Sequence, residues 1–322
     1  MAGNTNFDQI LSTTLQNYAP KLVDNIFNRV PLFFWLNSKG RKKPASGGER
    51  LVEPLMYETN STAAAYSGYE TIDVTPQNGL TAAEYLWKQA ATSISISGRQ
   101  ERQNAGSKEK IIDLLQSKVT QAERSLKTIL DEQAFSTSRG ASESEGLDGL
   151  QALVDVAPTT GSVGNINRAT AGNEFWRNNS TTSVGSFASG GLDAMRTLYN
   201  TCSDQGQDFP DLGLTTQSVF EFYEKALQTQ QRFSNTTAAD GGFQNLTFKG
   251  MTLMWDSNCP SGYMYMLNSD YLKLRVHPAA DFKTTPFIKP ANQDAKVAQI
   301  LYMGNLTMDQ ARRQGVLSGI TA

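Results

Sequence analysis

Residues 108–135 read KEKIIDLLQSKVTQAERSLKTILDEQAF, and their spacing sets the frame for the rest of the chain. Ile112, Leu115, Val119, Ala122, Leu126 and Ile129 recur at steps of three and four, the period of one helix face. Ser107 stands where an N-cap belongs, with Lys110 in place of the acid of a capping box. At 1.5 Å per residue the helix is about 40 Å long. A narrow apolar seam with charged flanks suits a long helix laid across a sheet. A coiled coil is the rival reading, but clean heptads are too few and Gln133 takes the next seam position.

Upstream, residues 49–57 and 82–96 read as extended, separated by a Ser-, Thr-, Gly- and Asn-rich stretch over 58–79. Tyr85 and Trp87 share one parity and Ile94 and Ile96 the other, which predicts a bulge or bend near Ala90 and Ala91. The result is a two-legged arm with a polar tip, of a kind that is marginal in water alone. It is expected to lie on something outside itself. Before it, Lys39, Arg41, Lys42 and Lys43 cluster around Gly40 and ahead of Pro44. A solvated turn is one reading of this cluster; a contact with phosphates or with an acidic patch on a neighbouring chain is the other. Residues 6–28 carry apolar side chains at helical spacing on both sides of Pro20, as two short amphipathic helices would.

Downstream, residues 138–191 are dominated by loops and short elements. Leu192, Met195, Leu198, Tyr199 and Cys202 mark a helix, and Leu212-Gly213-Leu214 followed by Thr215-Thr216 and Val219, Phe220 and Tyr223 marks a strand running into a capped helix. Residues 248–255, 263–267, 271–276 and 298–303 read as strands, with Asn268-Ser269-Asp270 as the turn between the middle two. The class is mixed α+β without an internal repeat, and 322 residues suffice for about two domains.

Chemistry is sparse. A single histidine, His277, excludes paired-His metal centres by counting, and no metal or cofactor site is expected. No dinucleotide or Walker-type glycine loop and no nucleophile elbow is present, so the chain is not expected to be an enzyme. A hydrolase using Ser189 or Cys202 with His277 is the distant alternative. Lys+Arg 29 against Asp+Glu 31 gives a net charge of -2, which rules out a global basic field. Charged residues are only 19% of the chain, leaving a surface that can pack against neighbours without desolvating many ions. No apolar run is long enough for a membrane span and no export signal is recognised, so a soluble protein without membrane partners is expected, its two lone cysteines reduced.

Several stretches, in order, resemble the major capsid proteins of tailed bacteriophages with the Hong Kong 97-like coat fold. They are Asn6-Phe7-Asp8-Gln9-Ile10-Leu11 with Leu22 to Phe27, Gly48-Glu49-Arg50-Leu51-Val52-Glu53-Pro54-Leu55, Trp87-Lys88 to Ser97-Gly98, and Lys108 to Phe135. Phe248 to Met251, Tyr265 to Leu272 and Gly304-Asn305-Leu306 with Arg312 to Leu317 complete the pattern. The resemblance implies an N-terminal arm over 1–40, an extended loop over 41–97 and a peripheral domain over 98–146 and 264–322 built on a long spine helix. An axial domain would fill 147–263, with a return of the end of the chain to it as the alternative.

It further implies a structural subunit that assembles into pentamers, hexamers and an icosahedral virion shell around packaged double-stranded DNA, put together in the host bacterial cytoplasm. An encapsulin-like compartment shell is the alternative within the fold. Implied partners are many copies of the chain, DNA held without sequence preference, separate scaffolding and portal proteins, and a possible decoration protein. Lys39, Arg41, Lys42 and Lys43 become candidate intersubunit or DNA contacts, and Tyr66, Tyr69 and Ile72 candidate loop contacts between subunits.

Overall fold

The computed structural model describes residues 30–104, 108–137, 146–203, 206–227 and 246–322. The amphipathic segment 6–28, the cap at Ser107 and the side chains of Ile112 and Leu115 lie outside this description. In chain order the strands are β1 (Lys42–Pro44), β2 (Arg50–Met56), β3 (Leu80–Leu86), β4 (Lys88–Ser97), β5 (Ser162–Val163), β6 (Ile166–Asn167), β7 (Asn179–Thr181) and β8 (Gly185–Ser186). They continue as β9 (Leu212–Thr215), β10 (Leu246–Phe248), β11 (Met251–Trp255), β12 (Met264–Leu267), β13 (Leu272–Val276), β14 (Lys283–Thr284), β15 (Ala295–Met308), β16 (Gly315–Leu317) and β17 (Ile320–Thr321).

Two sheets organise the chain. The first is centred on β15, which pairs antiparallel with β4, β13 and β14, while β1 adds to β13 in parallel. The second runs β10-β11-β9-β12-β16-β7. The long helix, Lys108–Ala134, lies against β4, as its narrow seam requires. Val119, Ala122, Leu126, Leu130 and Ala134 are buried, whereas Ile129 is exposed. The seam therefore passes through Leu130 instead of the expected Ile129, because at 3.6 residues per turn the inward face drifts by a residue over this length.

The strand expectations need three corrections. The pairing of β4 with β15 runs in unbroken register through Ala90 and Ala91, so the expected bulge is not there. The parity switch lies instead at Trp87, where the chain leaves the β2–β3 hairpin and enters the sheet: Ala83 and Tyr85 are buried on one side of it, Lys88, Ile94 and Ile96 on the other. Second, β1 and β4 belong to the β15 sheet, so only part of 41–97 forms a loop. Third, the turn at Asn268-Ser269-Asp270 forms as expected, but the strands that it joins lie in different sheets, since β12 pairs with β9 and β16 while β13 pairs with β15. The expected boundary between residues 263 and 264 thus falls before the last strand contributed to the six-stranded sheet from this region, and β16 returns to that sheet near the end of the chain.

Side chains hold the crossover. Asp211 accepts from Ser269 N (2.8 Å), Ser269 Oγ (2.6 Å) and Trp35 Nε1 (3.0 Å). Gln314 accepts from Asn268 N (2.9 Å) and donates to Asn268 O (3.1 Å). One apolar core joins the long helix, the β2–β3 hairpin, the β15 sheet and one face of the six-stranded sheet, including Leu212, Leu214 and Tyr265. The opposite face of the six-stranded sheet packs Leu253, Met264 and Met266 against the helices Leu192–Thr201 and Gln217–Leu227.

The hairpin base is anchored within the subunit, which corrects the expectation that the arm has no support of its own. Leu51, Leu55, Ala83 and Tyr85 are buried. Gly164, between β5 and β6, has φ +56, and a Cβ there would sit 2.8 Å from that of Ala83; only glycine allows this approach. Glu53, 1% exposed, takes two hydrogen bonds from Arg275 (2.5 and 3.0 Å), one from Lys273 (3.3 Å) and one from Thr307 (3.1 Å). Burial opposes its ionisation, but the Arg275 hydrogen bond, the two cationic charges and the Thr307 hydroxyl outweigh it and hold its pKa below the ordinary 4.5.

Removing the carboxylate would leave the partly buried Arg275 without its ion-pair partner, while Lys273 keeps Asp309 at 2.5 Å. Glu53→Ala is expected to destabilise the subunit by about 3 kcal/mol, read from the urea midpoint. Since the folded pKa is depressed, the stability it contributes is present above the ordinary carboxylate range and is lost as pH falls through the folded value. Acid unfolding of the wild type should therefore be steeper than that of Glu53→Gln.

Candidate assembly surface

Beyond its anchored base the hairpin turns apolar groups to solvent. Along β2 the pleat buries Leu51, Glu53 and Leu55 and sends Val52, Pro54 and Met56 outward. Met56 pairs with Leu80 across the ladder, and the two are 74% and 73% exposed. Further out, Tyr66, Tyr69, Ile72 and Val74 are all exposed on the loop between β2 and β3. The loop's hydrogen bonds stay within it: Asn60 accepts from Thr62 N, Asp73 from Thr75 N, and Ser61 donates across it to Gln77. Tyr66, Tyr69 and Ile72 thus sit where the sequence reading located them. Val52, Met56, Val74 and Leu80 were missed, although the apolar residues at both parities of Arg50–Met56 carried the signal that both faces of the strand have a use.

The basic cluster is not a solvated turn. Gly40, with φ +66, ends the helix Pro31–Ser38 and turns the chain into β1. Lys42 Nζ then lies 2.7 Å from Asp281 Oδ2, and Arg41 pairs with Asp270. Lys39 lies over the Trp35 ring at 4.9 Å and 3.9 Å from Asp211. Three of these cations are therefore matched by aspartates of the same chain, and Lys43, exposed like Lys39, is the member without such a pair among the described residues. They shape the subunit before they can meet any partner.

The residues considered for nucleophilic chemistry are not brought together. Cys202 is buried, accepts from Asn179 Nδ2 at 3.5 Å, and burial pushes its thiol up to about 12. His277 caps the turn Pro278–Ala280, its Nδ1 accepting from Ala279 N at 3.1 Å, and meets Trp87 edge-on at 5.7 Å. Ser189 Oγ donates to the Ser186 carbonyl at 3.2 Å. Among the described residues no group of three metal-ligating side chains is found, and no helix is long and apolar enough to cross a membrane.

These placements separate the basic residues by experiment. Lys42→Ser is expected to lower stability by about 1 kcal/mol and Lys43→Ser to leave it unchanged, both read by thermal unfolding of the subunit at low salt.

No protein-family model and no curated protein matches the chain. Solved structures do. A chain of the cyanophage A-1(L) capsid asymmetric unit superposes with a TM-score of 0.68 at 14% identity, covering 92% of this chain and 94% of that one. A chain of the satellite phage P4 procapsid that includes the size determination (Sid) protein gives 0.57 at 10% identity, covering 100% and 98%. The holo-SrpI encapsulin complex of Synechococcus elongatus PCC 7942 gives 0.52 at 12% identity, covering 89% and 87%. With nearly the whole chain superposed in each case, this protein has the phage major capsid fold.

Proposed function

We propose that the chain is the major structural subunit of a bacteriophage capsid, assembling in many copies into an icosahedral shell around packaged double-stranded DNA. The observation that carries this reading is the hairpin: its base is locked to the subunit by Glu53, while its outer face and tip expose Val52, Met56, Tyr66, Tyr69, Ile72, Val74 and Leu80. A soluble monomer rarely holds out so many large apolar groups along one arm, and a neighbouring copy supplies the surface that covers them. In the terms of the Hong Kong 97-like fold, the β15 sheet with the long helix corresponds to the peripheral domain and the six-stranded sheet with its two helices to the axial domain. Scaffolding, portal and decoration proteins are the further partners of this reading, and Lys43 is the cation of the basic turn left for an intersubunit or DNA contact.

The same fold serves an encapsulin, so an enzyme-filled compartment is the second reading; the encapsulin match at a TM-score of 0.52 favours keeping it. Particle contents distinguish the two: DNA in one, a cargo protein in the other.

The test is assembly of the purified chain, followed by sedimentation and electron microscopy. Wild type should form closed shells or capsomer rings. Met56→Ser with Leu80→Ser, or replacement of residues 59–78 by a two-residue turn, should keep the circular dichroism of a folded subunit and lose stable particles. Intact, heat-resistant particles from the trimmed chain would sink the role given to the arm.

A further inference from the structure

The joint between the long helix and the six-stranded sheet contains a pair of carboxyl groups. Asp131 lies one turn from the C-terminal end of the helix Lys108–Ala134, and Asp256 directly follows β11. Asp256 is fixed on the sheet side: its N–H donates to the Thr215 carbonyl at 2.9 Å and its Oδ1 accepts from Asn258 N at 2.9 Å. The Asp131 and Asp256 carboxyls each act on the other's ionisation, which sets them side by side. Both aspartates are more than nine-tenths buried, at 9% and 4% exposure. Asp131 Oδ1 and Asp256 Oδ2 are buried with no hydrogen-bond donor among the described residues.

Two buried acceptors without a donor repel when both are ionised, and a single proton between them turns the repulsion into a hydrogen bond. The surroundings do not supply a substitute. Lys127, one turn earlier on the helix, is the cation whose field reaches both carboxyls. From the loop after β11 comes the buried thiol of Cys259, which burial and Asp256 keep protonated. On β12, burial likewise keeps Tyr265 neutral, with Cys259, Tyr263 and Asp155 adding to the effect. Burial first, then the charge of Asp256, pushes Asp131 up to about 7. Burial raises Asp256 as well.

We propose that Asp131 and Asp256 form a one-proton latch at this joint, closed when they share a proton and open when both are charged. With the folded pKa above the unfolded value, the latch's contribution is complete below the ordinary carboxylate value of 3.8 and is lost as pH rises through about 7. Above neutrality the Asp131–Asp256 contact turns repulsive, and the shared apolar core alone holds the end of the long helix to the six-stranded sheet. The latch is a property of the subunit and does not rest on the capsid reading.

Infrared spectroscopy of the full chain tests it. A protonated-carboxyl band is expected at about pH 6, lost by about pH 9 and absent from Asp131→Asn. Thermal unfolding should show a fall in wild-type Tm by several degrees across the same interval and a flat profile for Asp131→Asn, whose amide is a permanent donor to Asp256. If that variant does not fold, Asp256→Asn serves the same comparison. A wild-type spectrum without the band at about pH 6, or a variant with the wild-type pH dependence, overturns the latch.

Discussion

The subunit is organised around a change of sheet that happens without a linker. β12 ends at Leu267 and β13 begins at Leu272, so a few residues carry the chain from one sheet to the other. A crossing this short would leave buried backbone groups unpaired unless side chains took them up. Asp211, Asn268 and Gln314 do so, and Asp211 also receives Trp35 from the helix Pro31–Ser38. The knot ties the helix Pro31–Ser38, the loop entering β9 and the turn before β16 to one point. The charges of Lys39, Arg41 and Lys42 lie around the same point, so the polar network extends from the buried knot to the surface.

That rigidity gives the hairpin its meaning. A two-stranded ribbon alone is marginal, and here one face of it is taken into the core with a carboxylate clamped by β13 and β15. On the other face Glu84 takes Asn165 and Tyr57 stacks on Phe175, while Val52, Met56, Leu80 and the tip residues Tyr66, Tyr69, Ile72 and Val74 stay exposed. A single element therefore combines a fixed direction with an uncovered surface, a division of labour that suits an arm which must reach a neighbour at a defined angle.

The elements with long periodicity were legible in the sequence. The helix 108–135, the strand-to-helix unit at Leu212 and the strands after Phe248 follow from spacing alone, and the ordered stretches quoted above carried the fold. What could not be read is what depends on distant partners. Trp87 looks like one more member of an alternating run, and only the sheet beyond it shows that parity breaks there. Asn268-Ser269-Asp270 has the composition of a turn and forms one, but that it carries the chain between two sheets depends on Asp211 and Gln314, well away in sequence. The basic cluster looked solvated because its aspartates lie far downstream, as for Lys42 and Asp281, 239 apart. Glu53 was read only as one residue of a resembling stretch, since a buried charge cannot be told from an exposed one until its cations are located.

The distance between Glu53 and Arg275, 222 positions along the chain, bears on the order of events during synthesis. β4 and the hairpin are made early, yet β15, which pairs with one and helps clamp the other, is among the last strands to be translated. Closing so large a loop is slow compared with forming local helices. A nascent chain on the ribosome thus holds an arm with no anchor, and the arm acquires its direction only after nearly the whole polypeptide has been released. Completion of synthesis sets the moment at which the arm acquires a fixed direction.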